Sequence, residues 1–147
     1  MKINVVCVGN LKESYLKDAC KEYAKRISAH ATLKITEVKE EAYDTLAREE
    51  KSILPLLKGH VIVMAIGGKQ LSSPEIAEKI KSLQVSGTSE ITFVIGGSTG
   101  LSPAVINRAD TLLSFGKITL PHQLFRVVLL EQIYRAFSIN AGSSYHK

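Results

Sequence analysis

The chain has 147 residues, 45% of them hydrophobic and 22% charged. That is the composition of one soluble globular domain, and it excludes a disordered tail or a fibrous repeat. Nineteen Lys and Arg against fourteen Asp and Glu leave a net +5, and the excess sits in residues 115–147, which hold four basic side chains and one acidic. Such a distribution suits a nucleic-acid or phosphate ligand, although a plain solvated basic surface gives the same pattern. No apolar run approaches the length that crosses a bilayer, and Met1-Lys2-Ile3-Asn4 leads straight into an alternating stretch with no signal-peptide core. A cytoplasmic protein with no membrane role is expected.

In chain order, Lys2–Val8 alternates and is rich in Val and Ile, so it predicts a strand. Helical spacing of Tyr15, Leu16, Ala19, Cys20, Tyr23, Ala24 and Ile27 predicts an amphipathic helix over 12–28. Cys7 and Cys20 both fall in these apolar patterns without C-x-x-C spacing, which points to reduced core thiols and no metal site. Thr32–Val38 predicts a strand near a sheet edge, and 43–57 a weaker helix disturbed by Pro55. Val61–Ile66 and Ile91–Ile95 are continuous apolar runs, the pattern of parallel strands covered on both faces. Each leads to glycines and then a helix start, Ser72-Ser73-Pro74-Glu75 and Ser102-Pro103. Thr111–Phe115 predicts a fifth strand and 122–139 a long helix. The succession βαβαβαβαβα implies an α/β fold with a mostly parallel sheet and helices on both faces, in one domain spanning 1–147. Ligands of such sheets bind beyond the C-terminal strand ends, here the loops 67–72, 96–101 and 116–121.

Gly96-Gly97-Ser98-Thr99-Gly100 follows a buried strand, so its backbone can approach a ligand closely. It lacks both the G-x-G-x-x-G spacing and the lysine of a P-loop. A tight structural turn is the plain alternative, but Gly67-Gly68-Lys69 repeats the theme one strand earlier and favours a pocket. The last helix is apolar around most of its girth, which calls for cover on two sides and suggests a subunit interface. Its Glu131 and Arg135 are spaced for an ion pair. The terminal Tyr145-His146-Lys147 combines a stacking ring, a titratable imidazole and a phosphate-seeking ammonium, where a frayed end is the ordinary expectation.

Together these segments resemble the RlmH (YbeA) family of SPOUT-class, S-adenosylmethionine-dependent ribosomal RNA methyltransferases. The similarity runs through Val8-Gly9-Asn10-Leu11-Lys12, Gly68-Lys69-Gln70-Leu71-Ser72-Ser73 and Phe93 to Leu101. It continues through Pro121 to Val127, Glu131 to Phe137 and the closing Tyr145-His146-Lys147. The resemblance implies a SPOUT fold with a C-terminal trefoil knot, a homodimer, and methylation of N3 of a pseudouridine in 23S ribosomal RNA on the ribosome. By position, it assigns the S-adenosylmethionine site to Met64, Gly96, Phe115, Gly116, Lys117, Ile118, Thr119 and Leu120. It departs from the family at Ala65, Ser138 and Ala141, and the stretch near 40–50 is shorter.

An imide N3–H is not nucleophilic until its proton leaves, so the protein must align methyl and nitrogen and stabilise the anion that forms. His146, Tyr145 and Arg135 are therefore expected to act at the target base, with His146 removing the proton or binding the developing oxyanion. Lys147, Arg126 and His122 are expected to contact RNA. A non-catalytic ribosome-binding module keeping the same fold is the second reading. A nucleotide-dependent enzyme of Rossmann type is disfavoured by the missing glycine fingerprint.

Overall fold

Ile3, Val5 and Cys7 alternate with Val6 and Val8, so the first strand has two apolar faces, and both are covered. The computed structural model describes residues 1–147. The odd-numbered side chains of β1 (Lys2–Val8) pack with α1 (Ser14–Ile27), α3 (Ser73–Val85) and α5 (His122–Asn140). Val6 and Val8 join a second cluster with Ile53 of α2 (Thr45–Ile53) and Val105 of α4 (Pro103–Arg108). Three helices thus cover one face of the sheet and two the other.

The sheet has five strands in the order β2-β1-β4-β3-β5, every pairing parallel, with β2 as Thr32–Val38, β3 as His60–Gln70, β4 as Glu90–Ile95 and β5 as Thr111–Ser114. The two continuous apolar runs are neighbours, as their burial on both faces requires, and the polar alternation of Thr32–Val38 does lie at an edge. Helix α2 ends at Ile53, where Pro55 turns the chain into a short 3-10 segment at Leu54–Leu56. Ser72 caps α3 through a reciprocal pair with Glu75, each accepting from the other's backbone amide.

One expectation fails here. The loop expected at 67–72 is largely strand, because β3 runs on to Gln70. Met64 and Lys69 both pair with Leu113, so residues 65–68 bulge out of the ladder before the strand resumes. Gly68 is what lets it resume: a Cβ there would lie 2.7 Å from the carbonyl carbon of Leu112. Gly68 serves strand packing, Gly67 has open space around it, and the bulge carries Ala65 and Ile66 at the sheet's C-terminal edge.

Candidate active site

At the bulge of β3 and beyond the ends of β4 and β5, three segments surround a cleft of about 630 Å³, within the range of roughly 300–1,000 Å³ typical of small-molecule sites. Met64, Ala65 and Ile66 form one wall, and the glycine loop after β4 forms the second. That loop is closed by a Gly97–Gly100 bridge and held from outside by Ser98 donating to Glu40 (3.2 Å) and by Thr99 and Thr45 (3.3 Å). Gly96 allows the tight return: a Cβ would sit 2.9 Å from Leu101 Cγ and 3.0 Å from the carbonyl group of Gly100. Overpacking of this kind costs about 1–3 kcal/mol. Gly96→Val is therefore expected to weaken binding in the cleft by tenfold or more, read by calorimetric titration with S-adenosylmethionine; unchanged affinity would remove the loop from the site.

The third wall is the segment after β5. Phe115 stacks on Phe125 of α5 with centroids 5.4 Å apart, making an apolar backing. Gly116 turns the chain at φ +126° and is bonded in both directions to the buried Ser114 hydroxyl. From Lys117 to Leu120 no intramolecular hydrogen bond engages the backbone amides, and Ile118, Thr119 and Leu120 line the cleft. Free donors and acceptors beside a stacked aromatic wall are what a nucleobase edge requires. Seven of the eight positions expected to hold the cofactor therefore meet in one cleft, while Lys117 stands on the same loop without lining it. His122, expected to face RNA, lines the cleft as well. Phe125 and Val128 were missed by sequence reasoning: on an all-apolar helix, no signal separates cleft-facing positions from core ones.

Arg126 requires a correction. It is 2% exposed and cannot reach RNA. Its Nη1 donates to Glu37 (2.6 Å) and its Nη2 to the carbonyl of Gly9 (2.8 Å), while Nε has no partner. It ties the start of α5 to the C-terminal ends of β1 and β2.

The tail folds back on the other end of α5. Arg135 Nε donates to Glu131 (2.6 Å), and Arg135 Nη1 lies 3.1 Å from His146 Nδ1. A guanidinium has only donors, so Nδ1 is the acceptor and the neutral ring carries its proton on Nε2. Tyr145 lies under the Arg135 guanidinium at 4.7 Å and edge-on to Tyr134 at 4.8 Å. Burial first, then the Glu131 carboxylate, hold its phenol protonated above the ordinary tyrosine range. Lys147 is exposed. The structure thus brings Arg135, Tyr145 and His146 together, and it does not bring them to the cleft of the same chain: none of them lines it. Burial also pushes the Cys7 thiol up to about 11, which makes it a core group and no nucleophile. No three His, Cys, Asp or Glu side chains lie close enough together to hold a metal ion.

A parallel sheet with a glycine-lined cleft at its strand ends defines an α/β enzyme that takes a nucleotide-like ligand. The chain belongs to the SPOUT methyltransferase family: the family profile described as "Predicted SPOUT methyltransferase" matches residues 1–146. A protein of Lactobacillus acidophilus named Ribosomal RNA large subunit methyltransferase H is 54% identical over 159 residues, covering 100% of both chains. A Bifidobacterium adolescentis protein of the same name is 51% identical with the same coverage. Among solved structures, a methylase family protein of Haemophilus influenzae superposes with a TM-score of 0.60 at 12% identity, over 99% of this chain and 70% of that one. A Legionella pneumophila methyltransferase solved with bound S-adenosylmethionine gives 0.52 at 12% identity, over 92% and 66%. These two likenesses concern the fold alone.

Proposed function

We propose that the protein methylates N3 of a pseudouridine in 23S ribosomal RNA on the ribosome, using S-adenosylmethionine, and that it works in the cytoplasm as a homodimer. A trefoil knot through the cleft-forming segments belongs to the same reading. The observation that carries it is the cleft, whose free backbone groups at 117–120 and Phe115–Phe125 wall suit an adenosine, with Gly96 keeping space that a side chain would fill. The relatives' name supplies the RNA. No helix is long and apolar enough to cross a membrane.

S-adenosylmethionine supplies the electrophilic methyl. The protein's own residues do the rest. Met64, Gly96 and the 115–120 segment orient the donor, and Phe115 and Phe125 exclude water. With Nδ1 turned to Arg135, His146 presents Nε2–H, a donor. In this reading it binds the uracil oxygen that gains charge as the N3 proton passes to solvent water, and it does not take that proton itself. Tyr145, protonated and half-buried, stacks or donates at the base, and Lys147 meets phosphate.

Because the cleft and the tail are separate in one chain, a second copy supplies the tail. Leu124 of α5 is 39% exposed and Tyr15 of α1 is 68% exposed, apolar surface that a partner would cover. The function is tested by incubating large ribosomal subunits that lack the modification with the protein and labelled methyl donor, then analysing nucleosides by mass spectrometry. N3-methylpseudouridine is the expected product. No transfer, with ribosome binding intact, would instead support the non-catalytic module.

A further inference from the structure

A surface beside the tail, on neither the cleft nor the catalytic group, stacks two planar side chains, a guanidinium and an imidazole, on aromatic rings. The Arg26 guanidinium of α1 lies 5.4 Å from the Tyr23 ring and 5.7 Å from the Tyr134 ring. The His30 ring stacks on Phe137 at 6.0 Å with 11° between planes and stands 6.0 Å from Tyr134. Arg26 and His30 are both exposed, so each presents an outer planar face to solvent while its inner face rests on a ring. The only acidic partner of Arg26 is Glu22 at 3.7 Å, in a pair with both side chains more than 40% exposed, which is weak and leaves guanidinium donors available. Lys25 and Lys147 are exposed cations in the neighbouring segments.

From this arrangement we infer that Arg26 and His30, backed by Tyr23, Tyr134 and Phe137, form a stacking shelf for an unpaired nucleotide of the RNA substrate that flanks the methylated one. The inference rests on the RNA reading above and extends it to α1, which otherwise has no part in the site. Unpaired bases are held by stacking on aromatic rings and guanidinium planes, with the same guanidinium reaching phosphate. Tyr134 joins the shelf to the catalytic tail through its edge contact with Tyr145 at 4.8 Å. That spacing suits a base adjacent to the target rather than the target itself. Prior stacking on the protein's own rings fixes the shelf before RNA arrives, so little ordering is left for binding.

The bland alternative is that Arg26 only bridges α1 and α5. The two are separated by Arg26→Lys, which keeps the charge and loses the planar face, assayed with large ribosomal subunits and S-adenosylmethionine. The shelf requires KM for the subunits to rise about fivefold to a hundredfold, with donor affinity and the single-turnover rate at saturating subunits unchanged. His30→Ala should move KM in the same direction. A lowered Tm with unchanged KM would leave Arg26 as helix glue and overturn the inference. A change in sedimentation with unchanged KM would do the same, assigning the face to a second copy. Should either variant fail to fold, photocrosslinking of the unmodified protein to large subunits decides: a cross-linked peptide containing residues 22–30 is expected, and a cross-link map without it refutes the shelf. Failure of the wild-type protein to methylate at all would defeat the underlying function instead, a distinguishable result.

Discussion

His146→Ala is expected to lower kcat by about two to three orders of magnitude, the usual cost of removing one donor aimed at a developing oxyanion. Affinity for S-adenosylmethionine should change little, since His146 does not line the cleft. The structure adds a sharper version of the test. Because Arg135 occupies Nδ1 at 3.1 Å, the group offered to substrate is an N–H, which an amide side chain can partly replace. His146→Asn or His146→Gln should therefore recover part of the lost rate. If both are as inactive as the alanine variant, while added imidazole restores activity to the alanine variant, His146 removes the proton itself. Arg135→Ala should then differ in kind from Arg135→Lys, because only the former leaves Nδ1 without a donor.

The second large effect is on stability. Arg126→Ala removes a side chain that is 2% exposed and holds both Glu37 and the Gly9 carbonyl. Breaking a buried pair typically costs about 3–5 kcal/mol. Here the stranded carboxylate is 40% exposed and can rehydrate, so a loss near the lower end, about 3 kcal/mol, is expected by chemical denaturation. Arg126→Met should cost clearly less, because it keeps the volume and also removes the unpartnered Nε. Donor affinity should fall in both, since the Gly9 backbone stands against His122, which lines the cleft: a Cβ on Gly9 would lie 3.5 Å from His122 Nε2. Equal stability of the alanine variant and the wild type would mean that the arginine is incidental.

The contrast between Arg126 and Met64 shows what the sequence carried and what it did not. Met64 lies in the aliphatic run Val61–Ile66, the pattern of a parallel strand covered on both faces, so its place in a buried strand was legible. Arg126 interrupts an apolar helix, and its partners lie 89 and 117 residues away; spacing along one helix cannot distinguish an inward guanidinium from an outward one. Gly67 and Gly68 misled for a related reason. Glycine marks close backbone approach without saying whether a ligand or a neighbouring strand makes it, and at Gly68 it is β5, while nothing approaches Gly67. The tail's three side-chain types were visible in the sequence, whereas its fold-back depends on Arg135 and Tyr134, which no periodicity links to the tail. Two of the three expected loops, 96–101 and 116–121, do border the cleft, because parallel strands impose where loops must fall.

The central claim is that one subunit's cleft works with the other's tail, and mixed dimers test it most directly. Gly96→Val and His146→Ala chains, the first impaired in donor binding and the second in kcat, would be unfolded together, refolded and assayed for methyl transfer to large ribosomal subunits with the donor held well below its wild-type Kd. A heterodimer then holds one site with both an intact cleft and an intact tail, so activity should return to about a quarter of the wild-type value with random pairing. Recovery near zero, with heterodimers demonstrated by native mass spectrometry, would contradict the account.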